Sequence, residues 1–474
     1  MKTISIVGAG FCGTMTAVNL ARLSDQALRV ILINAHRPLG RGTAYGTKRP
    51  EHVLNVVARN MSAFPDKPSH FVEWLSSRHE FADRRQEELQ EMFAPRRVYG
   101  DYLRGLLAAC MNPIDARNPV EVESVEGEVI GVKQEASGAY SIELRSGVTC
   151  QTDQVVLATG NQPPRSFPSS APLRYDPRYR SDPWDEWLSR LPPPGGTILL
   201  LGTGLTMVDI VLTLSEIGWE GKIVAISRHG RLPRSHFRGI AYEDIVSNEA
   251  TDLSLKGLRR LVQQHCERLT GMSQNPAIAI DKLRPHTQRL WKGLTAGEKL
   301  DFLKNDASQW NVIRHRIAAN IHNKVTDALD SGRLEVIAGT VVELEPNEKT
   351  IEVVQEDASG IRSSIAGDLI INCTGPHLNL SGSDAPLYHS LIERRLAVAD
   401  EMDMGIQVDE NYSVLVPGGE SNGDIYAIGP IIRGSLWETT AVPELRAQAL
   451  RVAEQILERE HSSPESSEVI EYFI

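Results

Sequence analysis

Residues 4–23 read ISIVGAGFCGTMTAVNLARL, and residues 28–36 read LRVILINAH. The β-branched run at 3–7 suits a buried parallel strand. Gly8, Gly10 and Gly13 then spell G-x-G-x-x-G. Met15, Val18, Leu20 and Leu23 continue as a helix packed on a sheet, and LRVILIN reads as the next strand. In such a unit the first glycine permits a tight turn and the second lets a pyrophosphate approach the backbone. The third lets helix and strand pack closely. The amides that open the helix, with its dipole, favour the phosphates. The stretch therefore points to a bound dinucleotide. An acid is expected about 20 residues after the last glycine, to hold a ribose hydroxyl. Asn34 stands there. Its amide oxygen accepts the same bond at roughly half the strength of a charged acceptor; the alternative is that Asn34 only ends the strand. Cys12, inside the turn, reads as a small packed residue, the alternative being a thiol acidified by the helix start.

Working outward, the pattern restarts at residues 196–218, GTILLLGTGLTMVDIVLTLSEIG, followed by GKIVAISR. Gly202 and Gly204 hold the first two glycine positions, and Met207 stands at the third. Thr206 is a candidate phosphate donor. Ser227, Arg228, His229 and Arg231 follow the next strand, where cations and hydroxyls suit a 2′-phosphate. That favours NADPH over NADH. The alternatives are a solvated basic edge or a vestigial site.

Two further segments look alike. Residues 120–160 and 333–375 each read as a small antiparallel meander leading into a core strand, and they end in Ala158-Thr159-Gly160 and Cys373-Thr374-Gly375. Prolines cluster at 161–195, and residues 250–330 are helical in pattern. The expected fold is α/β, with two Rossmann-like dinucleotide-binding domains, small antiparallel meanders and a helical insertion. The first domain is discontinuous, 1–165 with 366–474. The second spans 190–365, with the insertion at about 250–330. A length of 474 residues accommodates about two or three domains. The net charge of −11 argues against a polyanionic partner such as nucleic acid or an anionic membrane. Cys12, Cys110, Cys150, Cys266 and Cys373 form no C-x-x-C pair and no metal-ligand spacing. They suit a reducing, cytoplasmic setting. The apolar start after Lys2 is broken by glycines and does not read as a signal peptide.

The paired glycine turns and split first domain resemble the two-dinucleotide-binding flavoproteins. GRGTAYG (40–46), residues 52–75, FAPRRVYGDYL (93–103) and WNVIRHRIA (310–318) resemble a family of FAD/NAD(P)-binding bacterial proteins. That family is related to single-component flavin monooxygenases such as N-hydroxylases and a FAD-dependent urate hydroxylase. The resemblance implies FAD in the first fold and NADPH in the second. It places Arg41, Gly42 and Tyr45 beside the FAD, and Asn55 and Met61 against the flavin ring. Thr159 and Gly160 would lie near the FAD phosphates or the hinge. Gly429, Trp437, Glu438, Thr439 and Thr440 would bring a helix start toward the flavin.

Disulfide reductases need a thiol pair, which is missing here. Many also carry an aspartate after the strand ending Gly429, where this chain has Pro430. Oxygen is then the expected electron acceptor, and a C4a-hydroperoxyflavin would hydroxylate a small-molecule substrate behind a helical lid. The alternatives are a reductase or dehydrogenase passing electrons to a quinone or protein partner, and a flavin-containing sensor. Trp310, Arg314 and His315, with Arg316, Arg284, His286 and Trp291, are substrate-site candidates; the alternative is a salt-bridged helix face. No catalytic residue and no metal ligand is assigned.

Overall fold

In the computed structural model the described residues are 1–35, 38–113, 118–246 and 253–458. Residues 250–252 of the expected insertion and 459–474 of the expected first domain lie outside them.

The opening strand–turn–helix–strand forms as read: β1 (Lys2–Val7), α1 (Phe11–Leu23) and β2 (Leu28–Asn34), with β1 and β2 parallel. Nearly every side chain of α1 is buried, from Phe11 to Ala21. It is pressed between the sheet and two later helices, so that even Thr14, Thr16 and Asn19 are buried. Short helices α2 (His70–Ser76) and α3 (Gln86–Gln90) precede the long α4 (Arg96–Met111). β3 (Val120–Glu126) then pairs in parallel with β2. The expected meander is the three-stranded sheet β4 (Val129–Gln134), β5 (Tyr140–Leu144) and β6 (Thr149–Thr152), and β7 (Gln154–Leu157) returns beside β1. Assigning residues 120–126 to the meander needs correction. Val120 and Val122 are buried while alternate glutamates face solvent, because β3 is the edge of a parallel sheet. An edge strand alternates much as an antiparallel one does.

The second unit repeats this order. β8 (Tyr179–Arg180) precedes β9 (Thr197–Leu201), α5 (Leu205–Glu216) and β10 (Lys222–Ser227). A helical stretch follows: α6 (Leu255–Gly271), α7 (Ala277–Leu283), α8 (Thr287–Gly293), α9 (Ala296–Asn305), α10 (Ala307–Arg314) and α11 (Ala319–Asp330). Next come β11 (Leu334–Ala338), the antiparallel trio β12 (Thr340–Pro346), β13 (Ile351–Glu356) and β14 (Arg362–Gly367), and β15 (Leu369–Asn372). The second parallel sheet runs β11-β10-β9-β15-β8, mirroring β3-β2-β1-β7 in the first. β15 pairs with β9 and β8, so the second sheet extends to Asn372 and already includes residues 179–180. The strands of this second sheet are drawn from residues 179–372 of the chain.

The chain then forms α12 (Pro386–Glu393), β16 (Ser413–Leu415), β17 (Ser421–Ala427) and α13 (Val442–Ile456). β17 joins β7 in parallel, and the first sheet is complete as β16-β17-β7-β1-β2-β3. No helix among the described residues is long and apolar enough to cross a membrane.

Candidate functional site

Gly8 has φ +103°, and a Cβ there would stand 2.3 Å from the Ala158 carbonyl oxygen. A Cβ on Gly13 would stand 1.9 Å from the Gly8 carbonyl oxygen. These two glycines are required by the protein's own packing. Gly10 is different: a Cβ there would meet only the Gly42 Cα, at 3.7 Å. Gly10 is also the residue before α1, and no side chain caps that helix. A phosphate approaching Gly10 would thus find uncapped amides and the positive end of a helix dipole.

Three segments converge on this turn. Gly40 donates its N–H to the Ala9 carbonyl at 3.0 Å, and a Cβ on Gly42 would lie 2.9 Å from the Gly10 Cα. Arg41 pairs with Asp101 on α4, and the Tyr45 ring packs edge-on against Tyr99, centroids 4.7 Å apart. From the far end of the chain, Gly429 (φ +81°) comes so close that a Cβ would stand 2.9 Å from Cys12 Sγ. Gly429 is held by its N–H donating to Gln448 Oε1 at 2.8 Å and by its carbonyl accepting from the buried Thr439 hydroxyl at 3.2 Å. The structure therefore brings Gly8, Gly10, Cys12, Gly13, Gly42 and Gly429 together. Burial pushes the Cys12 thiol up to about 12, so it is a packed residue and no acidified thiol. Asn34 ends β2, and its carbonyl accepts from the Gly127 amide at 3.0 Å.

Other candidates are tied to neighbouring structure. Met61 is buried in the first core. The Asn55 carbonyl accepts from His236 Nε2 at 2.9 Å, a link from the first unit to the second. The Thr159 hydroxyl accepts from Tyr388 on α12 at 2.9 Å, and Gly160 has φ +73° with open space where a Cβ would be. Asn60 carries no sequence signal beyond its place in ARNM. It is buried, and its Nδ2 has no partner among the described residues. A buried donor without a partner is costly, which makes Asn60 a candidate ligand contact.

The second turn repeats the design with one change. Gly202 has φ +120°, and a Cβ would meet the Cys373 carbonyl oxygen at 2.4 Å. Gly204 has nothing within 4 Å of that position, and it precedes α5 without a side-chain cap. Thr206 lies in the first turn of that helix and is half-buried. Met207, at the position of the third glycine, is fully buried in the core of the second unit. The Ser227 and Thr203 hydroxyls are 2.8 Å apart, and Thr203 donates to the Arg231 carbonyl at 2.5 Å. Ser227 thus braces the loop, while Arg228 and Arg231 are exposed beside it.

The candidates Trp310, Arg314 and His315 do meet, around Glu438. Trp310 Nε1 donates to Glu438 Oε1 at 2.7 Å, and Arg314 Nε lies 3.4 Å from Glu438 Oε2. Burial alone would raise the Glu438 carboxyl, but Arg314, His315 and the Trp310 N–H hold it below the usual carboxylate range. Burial and the Arg314 charge push His315 down to about 4. Arg316 turns away to Asp281, bonding both carboxylate oxygens at 2.9 and 3.0 Å, and Arg284 pairs with Glu444 at 3.0 Å. Arg284, Arg314 and Arg316 thus each pair with a carboxylate of the protein itself. Arg314 ends α10 and Arg316 follows two residues later, and the two reach different carboxylates, Glu438 and Asp281. Glu438 itself has φ +64°, an uncommon conformation for a non-glycine residue.

Residues 5–162 match the model of a family described as FAD-NAD(P)-binding. No curated protein matches the sequence. Solved structures share the fold over nearly the whole chain. An ornithine hydroxylase from Pseudomonas aeruginosa superposes with a TM-score of 0.64 at 16% identity, covering 96% of this chain and 99% of its own. An L-lysine 6-monooxygenase from Pseudomonas syringae gives 0.63 at 16%, covering 97% and 99%. A FAD-bound cadaverine monooxygenase from Erwinia amylovora gives 0.63 at 16%, covering 96% and 94%. At these identities the likeness establishes the fold.

Proposed function

We propose that the chain is an FAD-dependent, NADPH-using monooxygenase acting on a small molecule. FAD would lie along the first turn, with its pyrophosphate on the α1 amides at Gly10 and its ribose at Asn34. NADPH would lie along the second, at Gly204 and Thr206, with its 2′-phosphate toward Ser227 and Arg228. In this reading the FAD unit comprises the first sheet, and the NADPH unit comprises the second sheet with the helical stretch. The observation that carries it is the pair of uncapped helix starts, each preceded by a glycine whose missing side chain leaves room for a ligand. The matching family model and the folds of the N-hydroxylating enzymes support it. Cys12, Cys110, Cys150, Cys266 and Cys373 form no C-x-x-C pair, so the redox-active dithiol motif of that spacing is missing.

When bound, the flavin would accept a hydride from NADPH and activate oxygen. One NADPH, one proton and one O2 would be consumed, giving NADP+, one water and one oxygen atom in the product. The protein's part is positional. Gly429, fixed by Gln448 and Thr439, sets the backbone over the start of α1. Asn60 supplies a buried donor, and the helical stretch excludes water.

The test is the purified chain with NADPH. It should be yellow, oxidise NADPH slowly alone, and consume oxygen in step with NADPH when a substrate is added. Flavin reduction by NADPH followed by anaerobic transfer to a quinone, with no oxygenated product in air, would replace this reading with a reductase.

A further inference from the structure

A cavity of about 750 Å³ lies inside the helical stretch. That volume suits a drug-sized organic molecule. One wall is α6, whose Leu255, Leu258, Val262 and Cys266 form a stripe at helical spacing. Leu255 is buried, and Leu258, Val262 and Cys266 are half-buried where they line the cavity at the edge of the aromatic cluster. The opposite wall is aromatic: Trp291, Phe302, Trp310 and Trp437. Trp291 and Trp437 stack with centroids 5.1 Å apart, and Phe302 meets Trp437 edge-on at 5.4 Å.

The charged groups lining the cavity lie at its rim. Arg234, Arg259 and Glu267 are exposed, and the half-buried Asp306 is already paired with Arg259, which also holds Asp301. A carboxylate inside would lose its hydration beside the Asp306 carboxylate, and an ammonium would find the Trp291 and Trp437 faces already taken by Lys299 and Arg433, 5.7 and 5.1 Å from the ring centroids. The three indole donors differ. Trp291 Nε1 donates to the Gly434 carbonyl at 2.8 Å, and Trp310 Nε1 to Glu438. Trp437 Nε1 is buried and has no hydrogen-bond partner among the described residues. Trp437 lies eight residues after Gly429, in the segment that passes over the start of α1.

We propose that this cavity binds a neutral, ring-bearing, largely apolar molecule, gripped by the aromatic wall and oriented by a hydrogen bond from Trp437 Nε1 to an acceptor on the ligand. Its role as the molecule oxygenated rests on the monooxygenase reading; the binding itself does not. The site would thus refuse the charged amines named for the structurally similar enzymes.

Calorimetric titration of the full chain with 2-naphthol, naphthalene and L-lysine tests this. Both ring compounds should bind, and L-lysine should bind at least about a hundredfold more weakly. Val262→Arg should weaken 2-naphthol binding at least about tenfold by placing a charge in the cavity; Leu258→Asp does the same should that variant fail to fold. Trp437→Phe should weaken 2-naphthol by about fivefold, the effect of one hydrogen bond, and leave naphthalene unchanged. L-lysine binding as tightly as 2-naphthol, or 2-naphthol binding unaffected by the α6 variants, overturns the assignment. Oxygen uptake under NADPH separates the two claims. Binding of 2-naphthol with no oxygen consumption keeps the cavity assignment and removes the oxygenation reading. Turnover stimulated by L-lysine with no 2-naphthol binding does the reverse.

Discussion

Gly10 and Gly13 are three residues apart and answer to different constraints. At Gly13 a methyl group would collide with the Gly8 carbonyl, so the glycine is demanded by strand and helix. At Gly10 the backbone is extended, φ −79° and ψ −157°, and a side chain fits the protein without collision. Gly10→Val should therefore fold with the parent's circular dichroism yet carry at least about tenfold less FAD per chain, because the branched side chain fills the phosphate approach. Gly13→Ala should fail earlier, losing on the order of 1–3 kcal/mol in urea unfolding through overpacking. Flavin absorbance per chain and the urea midpoint read the two effects separately. Equal flavin content in Gly10→Val and the parent would contradict the cradle.

Between elements, the contact that joins the two units is built on α4 and α5. Arg96 at the start of α4 donates to both carboxylate oxygens of Asp209 on α5, at 2.7 and 2.9 Å, and to the Val53 carbonyl at 3.0 Å. Both side chains are largely buried, at 16% and 6% exposed. His52 completes the contact. Its Nε2 donates to the Asp209 carbonyl at 3.2 Å and lies 2.9 Å from the Thr213 hydroxyl. Removing one partner of a buried pair strands the other. Asp209→Ala should cost roughly 3–5 kcal/mol. Arg96→Met combined with Asp209→Leu should cost less than the sum of the single changes. A double-mutant cycle in denaturant measures this, and strict additivity would mean the pair does not couple the helices.

Over the whole molecule, two histidines sit at the seam between the units and a third ends α10 within the helical stretch. Burial lowers His52, and burial pushes both His236 and His315 down to about 4. Each is favoured neutral in the folded chain, whereas in the unfolded chain each takes up a proton near its ordinary value of about 6.5. Their contribution is therefore complete above that value and is lost as pH falls toward 4. Stability should decline over this window, each strongly shifted histidine contributing up to about 1.4 kcal/mol per pH unit. Urea midpoints taken from pH 7.5 to 4.5 should fall, and His236→Gln should flatten the decline. A midpoint constant across that range would show that these rings titrate as they do in water.

The glycine turns, the strand–helix–strand units and the repeated meanders were legible in the sequence because each is set by neighbours within about thirty residues. A tight turn needs glycine, and a buried strand needs a β-branched run. The chain alone also gave the doubling of the unit and the return of the C-terminal strand and helix. Tertiary structure decided what depends on distant partners. Val120–Glu126 looks antiparallel by its alternation and is a parallel edge strand, because β2 is its neighbour. Leu369–Asn372 belongs to the second sheet because it lies beside β9. Arg314 belongs by type at the surface, and it is buried because Glu438, far along the chain, supplies a buried carboxylate that also accepts from Trp310. The unpartnered donors on Asn60 and Trp437 follow the same rule: side-chain identity is local, but satisfaction of a buried polar group is a property of the assembled fold.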